Sequence, residues 1–253
     1  MTDGGDAMKR FAGFCATILI LSSQAGGVQT GSLPDARELL KRSDSYRNGW
    51  SSFVLSVKIT AYEDGQPDEA HQYRIYQKGA DKTYVEFLSP REKGRHLLML
   101  GDDMLIYLPD TSRPIRITPL ERLTGNAANG DVARTNYADD YSATWLRREK
   151  AGAIECDVLE LAARRKGSTY RKIHYWLQSD NPRPVKADFF LASGKHIKSA
   201  TFDKYMTANG RPMLQRMTIL DRVRRNSYSV MEYSDYTPRD LPDRMFHQGR
   251  AGR

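Results

Sequence analysis

The sequence predicts a mainly β protein with a few helices: a strongly curved antiparallel sheet of about eleven strands, an unclosed half-barrel with a helical lid. Three observations predict this class. Residues 84–109, YVEFLSPREKGRHLLMLGDDMLIYLP, read as three short strands separated by tight polar turns. Strands so short and so close pair as antiparallel neighbours, because a parallel crossover needs about a dozen residues or more. Period-two alternation returns after residue 154 and lasts to residue 233, interrupted by polar turns. Between these two regions, residues 119–145 lose the alternation altogether. An antiparallel sheet of this many strands must curl.

The chain has 253 residues. Lys9 and Arg10 precede an apolar segment, residues 11–21, followed by Ser23, Gln24 and Ala25. Small residues at Ser23 and Ala25 are what a signal peptidase reads, so residues 1–25 are expected to be an export signal cleaved near Ala25. A retained membrane anchor is the alternative, against which the apolar run falls short of the ~20 residues needed to span a bilayer. Residues 26–253 are then expected to form a single domain in the periplasm. Removing the signal takes away Lys9, Arg10, Asp3 and Asp6, so the net charge of +8 is unchanged. Of the two cysteines, Cys15 leaves with the signal. Cys156 remains as a lone thiol in an apolar strand and reads as a small buried hydrophobe. Burial alone must therefore hold the domain together.

Ser32, Pro34 and Asp35 form a helix start, with Ser32 as the cap, and Ala36, Leu39 and Leu40 place one apolar face on a helix over residues 34–46. After Gly49 the period becomes two: Phe53, Leu55, Val57, Ile59 and Ala61 share one face of a strand. Glu63, Asp64 and Gly65 turn the chain, and Tyr73, Ile75 and Gln77 alternate with Arg74, Tyr76 and Lys78. The triplet of strands follows, with Val85 and Phe87, Leu97 and Met99, then Met104 and Ile106. Residues 115–118 form another short strand. Gly125, Asn126, Asn129 and Gly130 mark a mobile loop, and residues 138–146 a short helix. Six further strands cover residues 154–161, 170–177, 185–191, 196–205, 214–223 and 227–233.

A curved sheet with an apolar concave face and few helices does not easily fill its own interior, so a cavity for an apolar ligand is the expected outcome. The expected lining is Phe53, Leu55, Val57, Ile59, Ile75, Val85, Phe87, Leu97, Met99, Met104, Ile106, Met213 and Met217. Flexible thioethers adapt to irregular acyl chains. The alternative is that these side chains simply pack as a core. Long insertions such as residues 119–145 are usually functional or disordered.

The organisation Leu88-Ser89-Pro90, Lys93-Gly94, Asp102-Asp103, Tyr107-Leu108-Pro109 and Arg116-Ile117, continued by residues 170–173, Trp176 and Gly194-Lys195, resembles the outer-membrane lipoprotein-sorting proteins, the LolA-like lipoprotein carriers. The resemblance spans nearly the whole chain after the signal. It departs where relatives carry a G-S-D-F-x-x-x-D-L segment, here residues 125–131 and 137–140. It implies a soluble periplasmic carrier, expected as a monomer, that takes a lipid or acylated lipoprotein from an inner-membrane transporter and yields it to an outer-membrane acceptor. No cofactor, metal or catalytic residue is implied.

Arg164, Arg165, Lys166, Arg183, Lys186, Arg222, Arg224 and Arg225 suit transient contact with an anionic membrane surface. An export signal disfavours nucleic acid as a partner. Two other uses compete. A lipid or lipoprotein sensor regulating a membrane partner keeps the fold. A secreted hydrolase would draw on His196, Asp188 and Ser193, but these lie in one predicted hairpin without reason to converge, and no G-x-S-x-G elbow occurs.

Overall fold

The computed structural model of the chain describes residues 33–111 and 113–247. The expected export segment, with Cys15, and the expected cap Ser32 lie outside the described residues. Helix α1 (Ala36–Asp44) is capped by Asp35, whose Oδ1 accepts the backbone N–H groups of Arg37 and Glu38 at 2.9 and 3.2 Å. Glu38 in the first turn and Lys41 and Arg42 in the last complement the helix dipole.

Seven residues after α1 the sheet begins. Its strands are β1 (Ser52–Glu63), β2 (Gln66–Lys78), β3 (Lys82–Phe87), β4 (His96–Leu100), β5 (Asp103–Tyr107) and β6 (Ile115–Arg116). The intervening segment holds a small hairpin, β7 (Arg122–Thr124) and β8 (Ala127–Ala128), then two short helices, α2 (Asn129–Ala133) and α3 (Tyr137–Asp140). The sheet resumes with β9 (Tyr141–Ala151), β10 (Ile154–Ala163), β11 (Lys172–Gln178), β12 (Pro184–Phe190), β13 (His196–Ala208), β14 (Arg211–Asp221) and β15 (Ser227–Pro238). Thirteen strands make one antiparallel sheet in the order β6-β5-β4-β3-β2-β1-β15-β14-β13-β12-β11-β10-β9. The middle of the sheet is thus the pairing of β1 with β15, the start of the domain against its end. Strands β6 and β9 keep one edge each unpaired, so the sheet is not closed into a barrel.

Two local expectations are corrected. Of residues 138–146 only the first three are helical, as the end of Tyr137–Asp140; from Tyr141 onward the chain is the edge strand β9. Its inward side chains, Ala143 and Trp145, form no hydrophobic stripe, and its outer half is charged, so the alternation is hidden. The glycine- and asparagine-rich stretch expected as a mobile loop is buried inside the concave face, with Ala127 and Ala128 fully enclosed and Asn126 and Asn129 nearly so. Strand β2 also starts earlier than its pattern shows, because residues 66–72 are polar and mostly exposed.

The concave side carries the main core, and smaller clusters cover the outside. On the outer face, Leu98, Leu105 and Tyr107 pack against Leu241 and Phe246 of the C-terminal segment. Lys78 Nζ donates to the carbonyl of Leu241 at 2.8 Å and Lys82 pairs with Asp243 at 2.9 Å, which pins that segment down. Cys156 lies unpaired and fully buried beside Val158 and Trp176 on the outer face of β10 and β11. Burial raises its thiol pKa, as expected of a structural rather than a reactive cysteine.

Candidate functional site

Sheet register assembles the expected lining residues into rungs. Leu55 lies opposite Ile75, Ile75 opposite Val85, Val85 opposite Leu97, and Leu97 opposite Ile106, one apolar rung crossing five strands. A second rung runs through Phe53, Gln77, Thr83, Met99 and Met104. On the other side of β1, Ile59 faces Met231, which faces Met217, and Val57 faces Tyr233. With Phe87 and Met213 these side chains belong to a single buried apolar cluster, against whose margin Ile106 packs. All thirteen expected residues therefore share the concave face.

That face is not open: residues 119–140 fold into it as a plug. Ala127, Val132, Ala133 and Tyr137 join the same apolar cluster. Polar bonds seat the plug on the sheet. Thr83 Oγ1 donates to the carbonyl of Ala133 at 2.9 Å, Tyr73 and Thr124 share a hydroxyl bond of 2.5 Å, and the backbone N–H of Asn126 donates to Ser229 Oγ at 2.8 Å. The carboxylate of Asp131 accepts both the backbone N–H of Ala128, at 2.8 Å, and the hydroxyl of Tyr170, at 2.8 Å. Two glycines make the close fit possible. Gly125 has φ +53°, and a Cβ there would sit 2.4 Å from Ser229 Oγ; at Gly130 it would sit 2.0 Å from Thr169 Oγ1.

Helix α3 rests on the end of α1. Asp44 Oδ2 accepts the backbone N–H of Ala138 at 2.7 Å, and the guanidinium of Arg47 lies 4.1 Å over the ring of Tyr137. Burial pushes the Asp44 carboxyl up to about 7, against the nearby positive charge of Arg47. Arg47 Nη2 also lies 3.8 Å from Asp44 Oδ1, an ion pair with both side chains buried.

Between the β4–β5 turn and the β10–β11 loop, charged groups bring two distant parts of the sheet together. Arg134, at the end of α2, donates to Asp140 through Nε at 3.0 Å and Nη2 at 2.6 Å, and to the carbonyl of Gly101 at 2.6 Å. Arg165 donates to Asp102 at 2.9 Å. Beside this bridge opens a cleft of about 630 Å³, walled by Met104, Ile117, Pro119, Leu120, Tyr170 and Leu191, with Arg116, Lys166 and Arg171 also on its lining. Of the thirteen expected lining residues, Met104 borders it among the described residues, and through Met104 the cleft reaches the second rung. Sequence reading missed the cleft, because nothing local signals that loops about sixty residues apart meet.

The proposed hydrolytic trio does partly converge. His196 Nε2 lies 3.5 Å from Asp188 Oδ1, but Ser193 stays on the hairpin turn, where its Oγ accepts the backbone N–H of Lys195. Ser199 takes the place between them, donating to Asp188 at 2.7 Å and lying 3.1 Å from the same His196 nitrogen. A nucleophile activated by histidine needs the acid on the other ring nitrogen, so this is not triad geometry.

The LolA superfamily protein from Nitrosomonas europaea is 33% identical, with a TM-score of 0.79, over 84% of this chain and 97% of that one. The chain belongs to the LolA superfamily. A family model described as "Uncharacterized protein" matches residues 79–250. A DUF1329 family protein from Desulfovibrio piger shares the LolA-like fold at 19% identity and TM-score 0.73, over 85% of this chain and 97% of that one. So does a putative outer membrane lipoprotein-sorting protein domain from Vibrio parahaemolyticus, at 21% identity and TM-score 0.71, over 84% and 96%. No curated protein matches the chain. The open thirteen-stranded antiparallel sheet is a LolA-like fold.

Proposed function

We propose that residues 26–253 are a periplasmic carrier domain, freed from an export signal near Ala25, that binds the acyl chains of a lipid or lipoprotein on the concave rungs. The carrier works as a monomer, loaded by an inner-membrane transporter and unloaded at an outer-membrane acceptor. The observation that carries this reading is the five-strand apolar rung from Leu55 to Ile106, covered by a plug of mostly small side chains. A 16-carbon chain gains roughly 12 kcal/mol on leaving water, and it competes with the hold of the plug through Leu123, Ala127, Val132, Ala133 and Tyr137 and through hydrogen bonds worth about 1 kcal/mol net each. Cargo entry is then displacement of residues 119–140, and release is their return. The name of the Vibrio domain, a putative lipoprotein-sorting protein, agrees with this use.

Native mass spectrometry, with lipid extraction, on protein purified from a periplasm without detergent tests the reading. A bound acylated species of defined mass is expected. A clean apo mass that survives incubation with membrane lipids would turn the rungs into a plain packed core.

A further inference from the structure

We propose that the cargo carries an anionic head, and that the cleft beside Met104 is where that head is held, by Lys166 and Arg171. This rests on the carrier reading and names the cargo class for it. The cleft combines apolar walls with cations that are unpaired among the described residues. Its walls are apolar at Met104, Ile117, Leu120 and Leu191, and Leu120 keeps 37% of its surface in solvent. Its charges are unevenly matched. Asp103 is paired with Arg116, and Asp102 accepts from Arg165 at 2.9 Å with Arg134 also 3.7 Å away. Both aspartates are thus occupied. Lys166 and Arg171 have no carboxylate partner among the described residues; Arg171 Nη2 donates to the carbonyl of Lys166 at 3.3 Å, which holds the two cations on one loop.

A volume of about 630 Å³ lies within the roughly 300–1,000 Å³ typical of small-molecule sites. An amphiphile satisfies all of it at once. Its phosphate or carboxylate meets Lys166 and Arg171 at the solvent end, and its first methylenes pass Leu191 and Ile117 to reach Met104, where the rung begins. A neutral-headed lipid gains nothing from the two cations. A free phosphate gains nothing from the apolar walls.

The test compares soluble lipids of identical acyl chain, lysophosphatidylglycerol and lysophosphatidylcholine, titrated below their micelle concentrations into delipidated protein. At low ionic strength the anionic lipid is expected to bind at least about tenfold tighter, a preference that two cations near a headgroup supply and that salt weakens. Lys166→Gln with Arg171→Gln should bring the anionic lipid to the affinity of the zwitterionic one, whose own binding stays unchanged; that control also reports intact folding, since both side chains are exposed. Equal affinities in the unsubstituted protein overturn the anionic head and leave the carrier standing. No binding of either lipid overturns the carrier itself. Competition by inorganic phosphate as strong as that by the lipid, with no dependence on chain length, overturns the amphiphile and leaves a simple anion site.

Discussion

Arg134 and Asp140 meet through two hydrogen bonds, 3.0 and 2.6 Å long, with both side chains buried. The pair joins the end of α2 to the end of α3, and its remaining donor reaches the carbonyl of Gly101 on the sheet, so one guanidinium ties the plug to itself and to its seat. Arg134→Ala leaves Asp140 without its bidentate partner at a cost of about 3–5 kcal/mol. At roughly 2–4 °C per kcal/mol, the melting temperature should fall by about 10 °C, and exchange of bound lipid should accelerate. A variant that melts and exchanges as the parent does would remove the plug's main tether.

Displacement of the plug can be tested by preventing it. A Cβ at Gly130 would lie 2.9 Å from Thr169 Cβ, about 1 Å closer than the usual disulfide spacing, so α2 must move outward by that much to accept the bond. In Gly130→Cys with Thr169→Cys, oxidation should fasten α2 to the β10–β11 loop and suppress lipid uptake, and a reductant should restore it. Undiminished uptake by the oxidised form would mean that cargo enters without moving α2.

Asp44 gives the α1–α3 contact a pH dependence. Its carboxyl is held up at about 7 by burial, against an ordinary value of 3.8. The folded state therefore prefers the protonated form: the stability it brings is present in full below pH 4 and is lost as pH rises through 7. Between pH 5 and 8 that loss is on the order of 2 kcal/mol. Asp44→Asn keeps an acceptor for the N–H of Ala138 and cannot ionise, so its stability relative to the parent should improve steadily over the same interval. Denaturant melts of the two proteins at matched pH measure this, and a constant difference would show that Asp44 stays ionised.

The β14–β15 hairpin is the surface we expect to touch membranes. Val223 is 58% exposed at its tip, flanked by Arg222, Arg224 and Arg225, which form no ion pair among the described residues. The carboxylate that stands nearest in sequence, Asp221, is occupied by the backbone N–H groups of Val223 and Arg224. Replacing the three arginines with glutamine should lower cosedimentation with vesicles rich in anionic lipid by about 1 kcal/mol per residue, with the melting temperature unaltered. Equal sedimentation of both proteins would assign the arginines to solubility alone.

Fold class and the concave face were legible because both follow from local alternation. Leu55, Ile75, Val85, Leu97 and Ile106 each declare an inward side by period two, and short turns fix which strands are neighbours. What stayed hidden depends on distant pairs. Nothing near Ser52 or Pro238 announces that β1 closes against β15. The plug reads as a loop because Gly125, Asn126, Asn129 and Gly130 are loop formers by composition, whereas here the glycines permit close approach, Asn126 donates to the buried Ser227 and Asn129 to the carbonyl of Thr118. The helical turn of the C-terminal cover is four residues long, Asp243–Phe246, too few for any period to show.

The sheet's unclosed state raises a problem that a barrel never meets. Strands β6 and β9 each present a row of unpaired backbone groups, a template on which a second copy could add itself strand by strand into a fibre. The two edges are blunted differently. Strand β6 is two residues long and preceded by Pro114, so it offers too little ladder to copy. Strand β9 is eleven residues long, but Arg147, Arg148, Glu149 and Lys150 crowd its outer half, Arg147 paired with Glu149 and Arg148 with Asp157. Those four charged side chains are what a second copy would have to bury in order to extend the sheet from β9.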